Sequence, residues 1–276
     1  MTGTALVLKF GGELLEDPAR LAAVVSAISR IAASGQPLVV VHGGGKEIDA
    51  ALNAAGLEKR QVDGLRITDE RTLDVVVSVL AGTINTRLVA ALNAAGVRAV
   101  GLTGADGRCG LCDQAPPHKA VDGRLVDLER VGVPSAASDT RLFSTLAGAG
   151  FVPVLACIGA GEDGRLFNVN ADTLAGHIAG RLSAKRLVIS GTTPGVLDGN
   201  GRTVPILEPS AVGDMIGSGT ATAGMIAKLR ACEHALAHGA AEVVIVDGRD
   251  AAALEAAALG HRTDKATRLV AAVGRI

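Results

Sequence analysis

Two glycine-rich loops carry the residues with the clearest chemical potential. Lys9, Gly11 and Gly12 lie at the end of a first short apolar run, and the three glycines 43–45 follow a second. Glycine lets backbone N–H groups come close to an anion, and the start of a helix after the second loop adds positive potential. The loops therefore predict phosphate or carboxylate binding. For either loop alone, a tight turn without a ligand remains the alternative.

Neither loop has the spacing of the familiar nucleotide fingerprints. The chain contains no GxxxxGK[ST] motif, and the loop that begins at His42 lacks the GxGxxG spacing of a dinucleotide site. Elsewhere, Cys109 and Cys112 have the spacing of half a zinc site or of a redox pair, but no second pair completes four ligands. Since the four cysteines are too few for a disulfide framework, reduced thiols are expected.

Apolar runs alternate with amphipathic stretches, which predicts an α/β fold: a three-layer sandwich with a mostly parallel open central sheet. In such sheets ligands bind beyond the carboxyl ends of the strands. The segment 106–130 predicts hairpins or a flap, and the glycines near 158–163 suggest a boundary between two parts. The predicted strands are 5–10, 38–41, 98–102, 152–157, 186–189 and 242–246. The predicted helices are 18–35, 46–55, 68–94, 138–147, 171–182, 222–237 and 251–258.

Composition excludes several classes of protein. The 276 residues are 48% hydrophobic, enough for a full core, and 27 basic residues balance 28 acidic ones. This balance gives no footprint for nucleic acid or an anionic membrane, and an aromatic content of 1% leaves little for base stacking. No signal-like start and no uninterrupted apolar stretch of about 18 residues is present. We expect a cytoplasmic protein that binds small anions locally, without a nucleic-acid or membrane partner.

Five segments, in order along the chain, resemble motifs of the amino acid kinase family. The resemblance runs from about residue 6 to residue 276. It implies an amino acid kinase-like fold, with an acceptor-binding lobe over 1–160 and an ATP-binding lobe over 161–276. The segments are Lys9-Phe10-Gly11-Gly12, Val41-His42-Gly43-Gly44-Gly45, Gly64-Leu65-Arg66-Ile67-Thr68-Asp69, Asn168-Val169-Asn170-Ala171-Asp172 and Gly224-Met225-Ile226-Ala227-Lys228.

Within the family, the motif set implies ATP-dependent phosphorylation of the side-chain carboxylate of N-acetyl-L-glutamate to N-acetyl-L-glutamyl 5-phosphate, a step of arginine biosynthesis. Mg²⁺ is expected to be held mainly by the ATP phosphates. The resemblance also implies a homodimer through the helix 68–94, and the absence of an additional N-terminal helix implies insensitivity to arginine. The alternatives are a kinase for carrier-bound aminoadipate or glutamate, and a nucleotide-sensing module without activity.

The resemblance also assigns roles to single residues. Lys9 and Lys228 would stabilise the transition state, with Asp172 holding both ammonium groups. Arg66 and Asn168 would bind the α-carboxylate of the acceptor, with Asn170 nearby. Four glycines would offer N–H groups to the phosphoryl oxygens and the acceptor: Gly11, Gly12, Gly44 and Gly45. Each polar residue also has a structural interpretation: Asp172 and Asn170 as helix caps, Arg66 as a surface charge, and Lys228 as a lysine reaching solvent.

On the nucleotide side, the segment 190–198 resembles the family's nucleotide loop, with Thr192 where an aspartate is usual. A threonine can hydrogen-bond a ribose or a phosphate but carries no charge. Since the chain has no Trp or Tyr, we expect adenine to lie among aliphatic side chains, namely Val196, Leu197, Ile206 and Met225. The residues expected to bind the nucleotide are Gly11, Gly12, Thr192, Gly195, Leu197, Thr220, Thr222 and Met225.

Overall fold

A computed structural model describes residues 5–217 and 223–270. Their strands form a central sheet of seven, a second sheet of four and two small hairpins. The strands of the central sheet are short and almost wholly buried, as expected for strands covered on both faces. They are β1 (Leu6–Phe10), β2 (Leu38–His42), β5 (Ala99–Leu102), β10 (Val152–Ala156), β13 (Arg186–Gly191), β14 (Glu242–Asp247) and β15 (Ala266–Val270). The shorter strands are β3 (Gln61–Val62), β4 (Leu65–Arg66), β6 (Cys112–Gln114), β7 (His118–Lys119), β8 (Leu125–Val126), β9 (Val131–Pro134), β11 (Ile158–Ala160) and β12 (Leu166–Val169).

The central sheet has the order β15-β14-β13-β1-β2-β10-β5, and only β15 is antiparallel to its neighbour. Its registers bring the carboxyl ends of the middle strands to the same level. Phe10 at the end of β1 lies beside His42 of β2 and Ser190 of β13, and His42 lies beside Ala156 of β10. The loops after these strands therefore meet at one edge of the sheet.

All six predicted strands lie in the central sheet, and the predicted α/β class with a mostly parallel sheet is confirmed. The prediction omitted β15, an edge strand whose partner is β14. The hydrophobic pattern of β15 is weak, because Arg268 interrupts the apolar residues and Thr267 is a buried polar residue. A short edge strand of this kind is recognised mainly by its pairing, which the sequence does not show.

Helices cover the central sheet. Helix α1 is capped by Asp17, whose carboxylate accepts from the backbone N–H groups of Ala19 and Arg20, as its Asp-Pro start predicts. The prediction missed α7. The helices are α1 (Pro18–Ala33), α2 (Gly45–Ala54), α3 (Glu70–Val77), α4 (Thr86–Ala94), α5 (Arg141–Gly148), α6 (Ala171–Arg181), α7 (Pro209–Gly217), α8 (Ala223–Ala237) and α9 (Ala251–Leu259).

A π-helical segment, Ser78–Asn85, joins α3 to α4, so that one helix runs from Glu70 to Ala94. By length and composition this helix could cross a membrane, with a mean hydropathy of 1.8. Its large apolar residues, however, face the protein core, whereas Ser78, Gly82 and Thr86 are exposed. It therefore has the amphipathic pattern of a core helix. The core residues are Leu73, Val76, Val79, Leu80, Ile84, Leu88 and Leu92.

The prediction of hairpins within 106–130 is confirmed. A 3₁₀ turn at Asp106–Arg108 follows the central sheet. The chain then forms β6, which pairs with β9 in the second sheet, and β7 and β8, which form a separate antiparallel hairpin. The second sheet has the order β11-β12-β9-β6. The boundary predicted near 158–163 coincides with β11 and the turn after it, and β11 pairs with β12 across that turn. Strands before it occupy one half of the central sheet, and strands after it occupy the other.

Candidate active site

A buried cluster of three charged side chains lies at the carboxyl edge of the sheet. Lys9, near the end of β1, places Nζ 2.8 Å from Oδ1 of Asp172, and Lys228 of α8 donates a hydrogen bond of 3.1 Å to Oδ2. The Lys9 contact is a short, buried ion pair. The side chains are 5%, 8% and 16% exposed for Lys9, Asp172 and Lys228. The three residues, which we call the lysine triad, are distant in sequence and brought together here.

Burial and charge oppose each other in the lysine triad. Burial alone would raise the pKa of the Asp172 carboxyl. The two ammonium groups have the larger effect and lower that pKa below its usual value. Burial likewise opposes the charge on Lys9, but Asp172, and to a smaller degree Glu13, leave the pKa of Lys9 raised. Lys9 and Asp172 thus both carry their charges at neutral pH, and the triad contains one more basic group than acidic groups. The triad can attract and stabilise an anion.

The two glycine loops touch each other beside the triad. A side-chain carbon built on Gly12 would lie 2.6 Å from Cα of Gly44, so a larger residue does not fit between the loops. None of the five glycines in these loops has a positive φ. Close approach, rather than a turn conformation, is therefore the reason for glycine at this contact. Gly44 caps α2 and Gly45 begins it, which leaves N–H groups of the first turn facing the cavity.

A cavity of about 260 Å³ connects the glycine loops with the polar residues of the predicted acceptor site. Arg66 of β4 is held from one side, because its Nη2 donates to Oδ1 of Asp49 at 2.5 Å and to the backbone oxygen of Gly45 at 3.3 Å. Its Nη1 is buried and has no partner within the described residues. Arg66 is thus not a solvated surface charge. One face of its guanidinium fork is free to bind a carboxylate.

The two predicted asparagines have different surroundings. Asn168 of β12 lines the cavity and donates from Nδ2 to Oγ1 of the buried Thr68, at 3.1 Å. Asn170 caps α6, since its Oδ1 accepts from the backbone N–H groups of Asp172 and Thr173. The cap interpretation is therefore correct for Asn170 and wrong for Asp172. Asn170 nevertheless lines the cavity as well.

The predicted nucleotide residues are less well gathered. Thr192 is exposed just after β13, at the same edge as the lysine triad, and Leu197 is partly buried farther along this loop. Gly195 has a φ of +90° and packs against Thr267 of β15, which gives that glycine a structural reason as well. Met225 lies on α8, three residues before Lys228. Thr220 and Thr222 lie outside the described residues.

The predicted aliphatic surroundings of adenine need correction. Ile206 is 58% exposed and pairs with Arg268 on the outer side of β15. It lines a separate small cavity with Arg186, at the amino end of β13 and thus at the opposite edge of the sheet. Val196 is 1% exposed and lies behind the loop surface. The sequence misplaced Ile206 because the fold of this loop depends on its pairing with β15.

The cysteines are free, buried thiols. Burial raises the pKa of Cys109 and of Cys112 to about 12, so both remain protonated. The thiol of Cys109 donates to the backbone oxygen of Thr103, and that of Cys112 to the oxygen of Gly110. Within the described residues, no three His, Cys, Asp or Glu side chains form a group that could hold a metal ion.

Several residues of the site were not singled out from the sequence. Asp49 holds Arg66, Thr68 holds Asn168, and Cys157 and Leu80 line the cavity beside Lys9 and Gly44. Asp49 carried a signal, because it lies one helical turn after Gly45 and so faces the same way as the loop. No sequence pattern marked Leu80 as a residue of the site, since it reaches the cavity from the π-helical segment.

Comparisons with known proteins agree with this geometry. The profile of the amino acid kinase family matches residues 4–247. The chain is similar to an acetylglutamate kinase from Novosphingobium aromaticivorans, with 41% identity over 90% of this chain and 84% of that protein. It is also similar to an acetylglutamate kinase from Bartonella tribocorum, with 42% identity over 88% and 82% of the two chains.

Among solved structures, the fold resembles N-acetylglutamate synthase from Neisseria gonorrhoeae, solved with coenzyme A and N-acetyl-glutamate. The TM-score is 0.82 and the identity 26%, over 98% of this chain and 60% of the synthase. The matched family profile covers far more than half of the chain, and the two glycine loops and the lysine triad all lie within it. This chain belongs to the amino acid kinase family.

Proposed function

We propose that this protein is an ATP-dependent kinase that phosphorylates the side-chain carboxylate of N-acetyl-L-glutamate and forms N-acetyl-L-glutamyl 5-phosphate, a step of arginine biosynthesis. One observation carries the proposal. A single cavity is lined by Lys9 and Asp172 of the lysine triad, by both glycine loops and by Arg66, while Lys228 binds Asp172 from α8. The similarity to acetylglutamate kinases at about 40% identity supports the same acceptor.

The acceptor needs alignment rather than activation. A carboxylate is ionised at neutral pH, so no general base is required for its attack on a phosphoryl group. The free Nη1 of Arg66 would bind the α-carboxylate, and the amide of Asn168 would support it from β12. These contacts would leave the side-chain carboxylate pointing toward the glycine loops. Asp49 and Thr68 keep Arg66 and Asn168 in place before the acceptor arrives.

The lysine triad would supply the electrostatic stabilisation. Two anions have to meet, and their repulsion falls when positive charge lies between them. Lys9 and Lys228 are held by Asp172 at fixed positions, so little reorganisation is needed during the reaction. The N–H groups of the glycine loops would bind oxygens of the transferred group. Asp172 would act by orienting the two ammonium groups and would transfer no proton.

ATP with Mg²⁺ would supply the phosphoryl group. The glycine loops fit a phosphate, because their glycines line the cavity and carry no side chain that would occupy its place. We propose that the metal is held mainly by the phosphates. The nucleotide residues of the proposal are Gly11, Gly12, Thr192, Gly195, Leu197, Thr220, Thr222 and Met225, with Thr192 contributing a hydrogen bond but no charge.

We further propose a division into an acceptor lobe over 1–160 and an ATP lobe over 161–276. This division follows the two halves of the central sheet, and the site lies where the halves join at β1 and β13. The four buried free thiols fit a reducing compartment, and we propose that the enzyme works in the cytoplasm.

A homodimer through the helix Glu70–Ala94 completes the proposal. The outer face of this helix carries small residues, including Ser78, Gly82 and Thr86, which let two helices approach closely. Gly82 has open space around its Cα, so Gly82→Arg leaves the monomer intact and blocks such a contact. Sedimentation should show a dimer for the natural chain and a monomer for G82R. A monomer for both would contradict the dimer.

The decisive experiment traps the acyl phosphate with hydroxylamine across a panel of acceptors. N-acetyl-L-glutamate should give a hydroxamate and an equal amount of ADP, whereas aspartate, glutamate and carbamate should give little. A carrier-bound aminoadipate or glutamate acceptor forms a further arm. The absence of hydroxamate from N-acetyl-L-glutamate would overturn the proposal. Binding of ATP without ADP formation from any acceptor would instead indicate a nucleotide-sensing module.

A further inference from the structure

A buried asparagine connects the π-helical segment to the second glycine loop. Asn85 ends this segment and is 5% exposed. One hydrogen of its Nδ2 is directed at Nε2 of His42, 3.0 Å away, and the other at the backbone oxygen of Val154, 2.9 Å away. His42 is the last residue of β2 and directly precedes Gly43. The side chain of Asn85 thus joins the segment to two neighbouring strands, β2 and β10.

Hydrogen bonding fixes the tautomer of His42. Because the Asn85 amide donates to Nε2, the proton of the neutral ring lies on Nδ1, which donates to the backbone oxygen of Gly43 at 3.2 Å. Burial lowers the pKa of His42 to about 4, so the ring is neutral at physiological pH. The Cys157 thiol donates to the backbone oxygen of His42 at 2.9 Å. Residues 42 and 43 are therefore held from three directions.

Apolar side chains of the same segment press against the next glycine. A side-chain carbon on Gly44 would lie 2.1 Å from Cδ1 of Ile84 and 2.9 Å from Cδ2 of Leu80. Gly44 in turn touches Gly12 of the first loop. A continuous set of contacts therefore runs from the π-helical segment through the second loop to the first loop.

The π-helical geometry has a role in these contacts. Such segments are rare and frequently lie at functional sites, because the wider turn changes the direction of the side chains that follow. Here Asn85 and Ile84 both reach the sheet side. Gly101 of β5 makes room for the Asn85 amide, since a side-chain carbon there would lie 2.2 Å from Oδ1. A buried amide is costly unless it is hydrogen-bonded, so its two directed contacts indicate a specific placement.

We propose that Asn85 and His42 form a positioning pair that sets the spacing of the two glycine loops for phosphoryl transfer. Neither residue lines the cavity, so the pair would act through Gly43 and Gly44 and not by touching a substrate. The proposal rests on the proposed kinase activity. Displacing reacting groups by about 1 Å can cost about 100-fold in rate, so a small shift of the loops should be visible in kcat.

Replacing Asn85 tests the pair. Asn85→Leu should lower kcat by about 10- to 100-fold, while the KM values for ATP and N-acetyl-L-glutamate change by less than about 3-fold. Asn93→Leu is the matched control. Asn93 lies on the same helix, and its amide also donates to a backbone oxygen at the sheet, that of Ala99 at 3.1 Å, but it touches neither glycine loop. We expect N93L to keep the natural kcat.

Asn85→Asp gives a pH profile that a purely structural role would not produce. A carboxylate at this position accepts from Nε2 and stabilises the imidazolium of His42, which raises its pKa. Below that pKa both ring nitrogens carry protons, and the Nδ1 contact to Gly43 is kept. Above it the remaining proton lies on Nε2, and that contact is lost. N85D should therefore lose kcat as the pH rises through the new pKa of His42, a transition that is absent from the natural enzyme.

A pair of variants at His42 covers the case in which changes at Asn85 prevent folding. His42→Gln retains an acceptor and a donor and should keep kcat within about 5-fold, whereas His42→Leu should reproduce the loss seen with N85L. Natural kcat in folded N85L or H42L, or a pH profile of N85D that matches the natural enzyme, would overturn the positioning pair. Absence of hydroxamate from the natural enzyme would instead overturn the kinase proposal.

Discussion

Two buried ion triads lie at opposite edges of the central sheet and have the same charge composition. The lysine triad at the carboxyl edge consists of one carboxylate and two ammonium groups. At the amino edge, Glu242 binds Arg186 and Arg268, a group that we call the arginine triad. Arg186 and Glu242 are each 8% exposed, whereas Arg268 is 34% exposed. Both triads carry one positive charge in excess, yet only one of them lies at a candidate active site.

The two triads differ in how their cationic groups are paired within the fold. In the arginine triad, the guanidinium of Arg186 donates to Glu242 at 2.5 Å and to the backbone oxygen of Ala258 at 2.8 Å. The planar fork thus closes on partners within the fold. In the lysine triad, the ammonium groups are compact charges, and Lys9 lines the cavity together with the glycine loops. Both triads border a cavity, of about 260 Å³ at the lysine triad and about 110 Å³ at the arginine triad, but only the lysine triad lies beside the two glycine loops.

The largest expected effect is on stability, at the arginine triad. Glu242→Gln leaves two guanidinium groups without a counter-charge and should lower the free energy of unfolding by about 3–5 kcal/mol, measured by urea denaturation. Asp172→Asn is the matched change. It should also lower the free energy of unfolding, because Lys9 and Lys228 are only 5% and 16% exposed, but unlike E242Q it should greatly lower kcat. Equal losses of kcat in the two variants would remove the distinction.

The next effect is on rate, at the lysine triad. Lys228→Ala removes one ammonium group from the transition state and should lower kcat by about 10²- to 10³-fold, with little change in KM. Initial rates over a range of ATP and acceptor concentrations measure both constants. Lys265→Ala, which removes an exposed ion-pair partner of Asp250, is the control and should keep the natural kcat. A loss in KM alone for K228A would exclude Lys228 from the transition state.

A smaller effect distinguishes guanidinium from ammonium at the acceptor side. Arg66→Lys keeps the charge but loses the fork, so that Asp49 and the acceptor compete for one ammonium group. The KM for N-acetyl-L-glutamate should rise by about 10- to 100-fold, as expected for the loss of a charged hydrogen bond, and the KM for ATP should not change. Arg60→Lys, an exposed arginine paired with Glu129 near the same hairpin, is the control. Natural acceptor KM in R66K would contradict the role of the fork.

The smallest effect concerns acid stability of the helix that carries Asp172. Burial lowers the pKa of His177 on α6 to about 4, below the usual 6.5. The unfolded chain therefore binds the proton first, and stability falls as the pH drops from about 6.5 toward 4. The lowered pKa of Asp172 acts in a different window, because its contribution is lost only below the usual pKa of an aspartate. The two groups are thus separable by pH.

His177→Leu should remove about 1–2 kcal/mol of the stability loss between pH 7 and pH 5. Urea denaturation at a series of pH values measures it. The control is His261→Leu, which removes an exposed histidine that is not on α6. If H177L loses as much stability on acidification as the natural chain, His177 is not the source of the stability loss at low pH.

Sequence reasoning was most successful where a pattern is local. The strands of the parallel sheet are continuous apolar runs, and Asp17-Pro18 is a local start signal for α1. Sequence reasoning failed where the pairing of distant strands decides the structure. Nothing local marks β15 as a strand, and Ile206 follows β15 to the far side of the sheet. The π-helical segment was also missed, since its residues fit an ordinary amphipathic helix.

The sequence by itself determined the α/β class, the position of the glycine loops after buried strands, and the presence of two lysines and an aspartate in family motifs. The tertiary structure decided which of these residues carry out which task. It separated Asn170, a helix cap, from Asp172, a counter-ion, although the two lie two residues apart in the same motif. It also showed that Gly12 and Gly44 are constrained by each other. The physical reason is that ion pairs and close contacts depend on distances between segments far apart in the chain, whereas periodicity and caps depend on neighbours.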